Sequence, residues 1–182
     1  MPPELAVGQT VDFTIRYEHG QMTAVSTNAP LIDHFLEKIR LTRSLHTWIN
    51  YAHDLKVFFT TLGLPLEHID RHSCLRFMQQ QEQAGLSSLT INRRLAAVSS
   101  LFSELSLLDP ESFPRNPVSP DRGGRAPRTA TLSLYRKQPD RLPDVIDQKD
   151  LERFFGTLPT WRDRTLILLM WISCLRISDY IG

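Results

Sequence analysis

Apolar positions recur in steps of three and four along the middle of this chain. Leu45, Trp48, Ala52, Leu55, Phe59 and Leu62 form one stripe, and Ile91, Leu95, Val98, Phe102 and Leu105 form a second. That period puts each set on one face of an α-helix. Two shorter helices are predicted, at Pro30 to Ile39, where proline suits the first turn, and around Arg71 to Gln83, which Gly85 closes. Ser44, and Ser87 or Ser88, stand where the two longer helices need an N-cap. With no convincing strand among them, residues 28–108 are expected to build a small four-helix bundle. Residues 1–27 are rich in Pro, Gly, Gln, Thr and Ser, and only Val11 to Tyr17 alternates as a strand would, so a flexible, mostly disordered arm is expected there.

The pattern breaks over residues 109–143, where Pro110, Pro114, Pro117, Pro120, Pro127, Pro139 and Pro143 and the pair Gly123-Gly124 forbid a long helix. This stretch reads as a linker. Helical spacing resumes over residues 144–182. Asp147 is placed to cap a helix presenting Leu151, Phe154, Phe155 and Leu158, and Thr160 to cap one running through Leu166 to Trp171 that is apolar on every side. A helix of that kind belongs inside a larger domain, and uncovered it is expected to be sticky. The fold class expected is therefore all-α.

Composition changes this picture little. The 182 residues are 41% hydrophobic and 23% charged, which suits a globular chain, and a formal net charge of +1 rules out binding a polyanion by bulk charge. Local charge differs: from Ser112 to Gln138 six basic residues, Arg115, Arg122, Arg125, Arg128, Arg136 and Lys137, face the single acid Asp121, a local net charge of +5. Cys74 and Cys174 lie far apart in apolar segments, which favours two buried, reduced thiols and a cytoplasmic setting. No apolar run approaches the roughly 18 residues of a membrane span, and the N-terminus lacks the pattern of an export signal. His68 and His72 are four apart but have no third ligand and no His-Glu-x-x-His arrangement, so no metal and no cofactor are expected.

Several short segments carry a resemblance when taken in order. They are Ser44-Leu45-His46-Thr47-Trp48-Ile49-Asn50-Tyr51 with Asp54-Leu55, then Thr90 and Asn92-Arg93-Arg94-Leu95 with Leu101-Phe102, then Asn116-Pro117, Leu142-Pro143 and Cys174-Leu175-Arg176-Ile177-Ser178-Asp179. Together they resemble the tyrosine recombinases, or phage integrases, over roughly residues 28–182. The resemblance implies a SAM-like core-binding bundle that binds DNA, a basic linker, and the first helices of a catalytic domain that is truncated here.

In that family a tyrosine hydroxyl attacks a DNA phosphodiester, without metal or high-energy cofactor. Planar, permanently charged guanidinium groups suit the negative charge that builds on the non-bridging oxygens. Arg176 matches the family's first catalytic arginine, and Asp179, about one helical turn on, is its implied support. The family's lysine, its second arginine in a His-x-x-Arg arrangement and its distant tyrosine have no counterpart, and Tyr180 reads as an ordinary helix residue. The chain alone is thus expected to bind double-stranded DNA without cleaving it, with other recombinase protomers as further partners on paired sites.

Candidate DNA contacts are Ser44, His46, Thr47, Asn50 and Lys56 on the second helix, Thr90, Asn92, Arg93 and Arg94 on the fourth, and Arg115, Arg122, Arg125 and Arg128 in the linker. Thr90, Arg93 and Ala97 are expected on the face away from Ile91, Leu95 and Val98. The alternative at this point is a helical protein-interaction module whose linker arginines are incidental.

Overall fold

The computed structural model describes residues 8–119, 134–136 and 147–173. It divides into two compact units, residues 1–138 and 139–182, which are taken separately.

In the first unit two strands, β1 (Phe13–Glu18) and β2 (Gln21–Thr27), precede four helices: α1 (Pro30–Thr42), α2 (Leu45–Leu62), α3 (Arg71–Gln83) and α4 (Ser88–Leu108). The helices form where the apolar spacing placed them, and their ends follow from local chemistry. Pro30 opens α1. Ser44 Oγ accepts from the Thr47 amide to start α2, and Ser87 Oγ does the same for Thr90 in α4, each at 3.3 Å. Asp70 accepts from the amide and hydroxyl of Ser73 at the start of α3, both at 2.7 Å, and these bonds hold its carboxyl below the usual carboxylate range. Gly63 ends α2 with φ at 60°, in the left-handed region where glycine meets no side-chain clash.

The core lies between the four helices. Phe58, Phe59, Phe77 and Phe102 are fully buried with Ile32, Leu36, Leu55, Ile91, Leu95, Leu101 and Leu105. Phe58 meets Phe59 and Phe77 edge-on, with ring centroids 5.3 and 4.9 Å apart. Helix α4 packs on α1, α2 and α3, so it buries more than one face. That corrects the expected outward face of α4: Ala97 is buried, because the helix has packed neighbours on more than one side. Cys74 is also buried, and burial pushes its thiol up to about 12, which leaves it unreactive.

The N-terminal segment differs from the expected arm. β1 and β2 form an antiparallel hairpin with a bulge at Arg16/Tyr17, turned by His19 and Gly20, both with positive φ as a type I′ turn requires. The hairpin is tied to the bundle. Met22 and Val11 are buried, Phe13 stacks on Phe59, Tyr17 Oη bonds His53 Nε2 at 3.0 Å, and Asp33 of α1 accepts from the amide and hydroxyl of Thr27. Only one face of each strand is needed for this, which is why the segment stays polar enough to read as an arm. The architecture is thus mainly helical with a small two-stranded sheet added.

The second unit contains α5 (Gln148–Thr157) and α6 (Trp161–Ser173). Asp147 stands at the N-cap of α5 without a side-chain capping bond, whereas Thr160 accepts from the Asp163 amide at 3.1 Å and caps α6. Helix α6 has no buried residue, and Leu166, Leu168, Leu169, Trp171 and Ile172 are all exposed. Among the described residues no helix is long and apolar enough to cross a membrane.

Candidate nucleic-acid interface

Two contacts set how α2 and α4 lie together. Tyr51 Oη bonds Ser100 Oγ at 3.2 Å, and Asp54 Oδ1 pairs with Arg93 Nη2 at 3.0 Å. As α2 advances from 51 to 54, its partner on α4 recedes from 100 to 93, so the two helices run antiparallel. Ser44 is ten residues before Asp54, about 15 Å along the axis. The expected contacts therefore fall into two patches. Ser44, His46 and Thr47 lie toward the C-terminal end of α4, whereas Thr90, Asn92, Arg93 and Arg94 lie at its N-terminal end. Their separation is comparable with the roughly 12 Å width of a major groove.

In the first patch Ser44 and Thr47 are already committed to the cap, their hydroxyls bonded at 2.9 Å, while His46 and Asn50 are exposed. Lys56, half-buried, sits farther along α2. In the second patch Thr90 repeats the cap arrangement, its hydroxyl bonded to Ser87 Oγ at 3.1 Å.

The two adjacent arginines of α4 are sorted differently. Arg93 keeps 48% of its side chain exposed, whereas Arg94 keeps 17%. Arg94 Nη1 donates to Gln81 Oε1 of α3, and its Nε lies 3.8 Å from Asp54 Oδ1. Asp54 itself is buried; burial pushes its carboxyl up, opposed by Arg93, Arg94 and His53.

Asn92 is engaged elsewhere. Its Nδ2 donates to the Arg136 carbonyl at 2.9 Å, and its Oδ1 accepts from the Arg136 amide at 3.0 Å. The Arg136 guanidinium in turn holds Glu82 of α3 through two bonds of 2.7 and 2.5 Å, which lowers the Glu82 carboxyl. Leu134 is buried, and its amide donates to the Val118 carbonyl at 3.4 Å. Residues 134–136 thus return to the bundle beside the point where the chain leaves it.

Asn92→Ala is expected to release this return. It removes both bonds to the Arg136 backbone, the Arg136 amide's own acceptor among them, so that amide should exchange with solvent hydrogen at least about tenfold faster even with Leu134 still packed. Unchanged protection would mean that Leu134 burial alone holds the segment.

Arg115 is exposed beside a surface cavity of about 410 Å³ that Glu67, Asp70 and Arg71 also line. Arg122, Arg125 and Arg128 of the linker, and Arg176, Asp179, Tyr180 and Cys174, lie outside the described residues. Among the described residues no three His, Cys, Asp or Glu side chains gather as metal ligands would.

Asp54 and Glu82 went unrecognised as parts of this site, and Arg136 counted only towards the charge of the linker. Asp54 did leave a signal: it stands one turn before Phe58 on the buried side of α2, where a carboxylate needs a cationic partner.

Residues 32–107 match the phage integrase N-terminal SAM-like domain. The chain is 30% identical over 165 residues to the tyrosine recombinase XerC 1 of Ralstonia nicotianae, covering 84% of this chain and 46% of that protein. It is likewise 30% identical over 166 residues to the tyrosine recombinase XerC of Ralstonia pickettii, with the same coverage of 84% and 46%. The chain therefore spans about half the length of the relatives it matches. The matched domain encloses α2, α3 and nearly all of α1 and α4, and the similarity runs on beyond the bundle; the chain belongs to the tyrosine recombinase, or phage integrase, family.

Proposed function

We propose that these residues are the DNA-binding N-terminal portion of a site-specific tyrosine recombinase or integrase, acting on double-stranded DNA in recombination and integration. The observation that carries this reading is Arg93, a half-exposed arginine on α4 within the matched domain, with the polar start of α2 on the neighbouring helix. An arginine so placed suits a backbone phosphate, which it meets with paired N–H donors. His46 supplies a second approach about a groove width away, with Asn50 exposed between the two patches, and the amides at the start of α2 favour an anion there. The linker arginines Arg115, Arg122, Arg125 and Arg128 add sequence-independent attraction. Arg176 is assigned as the first catalytic arginine and Asp179 as its support. With no counterpart in these 182 residues for the family's other catalytic groups, the chain binds without cleaving. A covalent protein-DNA adduct made by it would contradict this. Other protomers on paired sites are the further partners.

The test is a salt titration of binding to a mixed-sequence duplex by the whole chain beside Arg93→Ala. Each phosphate neutralised adds about 0.9 to the salt slope, so contact with about six should cost on the order of a thousandfold in affinity between about 50 and 200 mM salt. Arg93→Ala should lower the slope by about 0.9. Absence of duplex binding at low salt would overturn the reading and favour a helical protein-interaction module.

A further inference from the structure

We propose that Asp54 is a positioning residue for DNA binding, anchoring Arg93 so that the donors it leaves unused are presented to a backbone phosphate; this rests on the DNA-binding reading above. The argument begins with cost. Asp54 is 3% exposed, one turn before Phe58 in the seam between α2 and α4. A buried carboxylate is expensive even when paired, and an apolar residue of similar volume commonly serves stability as well or better. Stability alone thus gives poor reason for an acid at this position.

Its two arginine partners suggest another reason. A guanidinium carries five N–H donors in a rigid fork. Asp54 Oδ1 lies 3.0 Å from Arg93 Nη2, at one corner of that fork, and 48% of the side chain still faces solvent. Arg94, 3.8 Å from the same oxygen, is turned inward to Gln81. One buried acid therefore separates two consecutive arginines into an outward and an inward one. An arginine already held by its neighbour loses less rotamer freedom when a phosphate arrives, which favours binding without any added charge.

This makes a prediction opposite in sign to simple electrostatics. Asp54→Asn removes a negative charge beside Arg93 and should tighten binding if charge alone mattered. Positioning predicts the reverse: in the full chain, affinity for a mixed-sequence duplex should fall on the order of tenfold, with the salt slope reduced by about 0.9, as for Arg93→Ala. The double variant Asp54→Asn with Arg93→Ala should bind no more weakly than Arg93→Ala alone, because both remove one coupled interaction. Arg93→Lys, at an exposed position that leaves the fold intact, keeps the charge but loses the fork; it should bind several-fold more weakly with an unchanged slope. Tighter or unaltered binding by Asp54→Asn, a lowered melting temperature with an unaltered slope, or an Arg93→Lys chain equal to the parent would each overturn the assignment of Asp54. Failure of the parent chain to bind duplex at all would instead remove the DNA reading, and this inference with it.

Discussion

Phe58→Ala is expected to destabilise the bundle by about 3–5 kcal/mol, the range for deleting a buried aromatic ring from a packed core. Phe58 is fully buried and joins two helices, since it meets Phe59 on its own helix and Phe77 on α3 edge-on. Losing it removes both edge contacts as well as the buried area, and the rigid neighbours can close the space only in part. Domains of this size hold about 5–15 kcal/mol in total, so the substitution takes a large share of that. Guanidinium unfolding followed by helical circular dichroism should show the midpoint moving far down with little change in slope. Leu107→Ala is the control, because Leu107 is 79% exposed and should cost almost nothing. A Phe58→Ala loss below about 1 kcal/mol would mean that the core collapses freely around the gap.

Asn116→Ala is the second large effect, expected at about 2–3 kcal/mol. This buried side chain fastens the exit from α4. Its Nδ2 donates to the Ser99 carbonyl at 2.8 Å, to Ser103 Oγ at 2.9 Å and to Ser99 Oγ at 3.1 Å, and its Oδ1 accepts from the amides of Val118 and Ser119 at 3.0 and 3.2 Å. Removing it strands a buried Val118 amide and withdraws a partner from the Ser99 carbonyl, and an unsatisfied buried group costs more than a bond contributes. The effect should spread, because the Val118 carbonyl receives the Leu134 amide. Loosening Val118 should therefore raise hydrogen exchange at Leu134 as well as lower the unfolding midpoint. Asn116→Asp provides the comparison. It keeps an acceptor for the two amides but sets a carboxylate against the Ser99 carbonyl, so it should not rescue stability. Full stability in that variant would show that the donor bonds carry nothing.

Much of the bundle was legible because helices are local. The stripe from Leu45 to Leu62 and that from Ile91 to Leu105 repeat at the helical period, and Ser44 and Ser87 start their helices through contacts within a few residues; Asp70 and Gly63 act as locally but went unrecognised. The hairpin was less legible. Val11 to Tyr17 alternated, but a strand is secured by partners distant in sequence, here β2, Phe59 and His53, and those are invisible in a short polar window.

The candidate site divides in the same way. Sequence named Thr90, Asn92, Arg93 and Arg94 together, as neighbours on one helix. Only packing separated their tasks: Thr90 to a cap, Asn92 to the Arg136 backbone, Arg94 inward to Gln81, and Arg93 outward from Asp54. Likewise the linker's charge was plain from composition, but the return of Arg136 to α3 and α4 was not, because it spans dozens of residues. By itself, then, the sequence determined the four helices, their caps, the basic linker and the order of family motifs, all set by chemistry within a turn or two of chain. The tertiary structure alone decided the hairpin, the antiparallel seam of α2 on α4 and which polar side chains stay exposed for a partner, since burial depends on what the rest of the chain brings to each face.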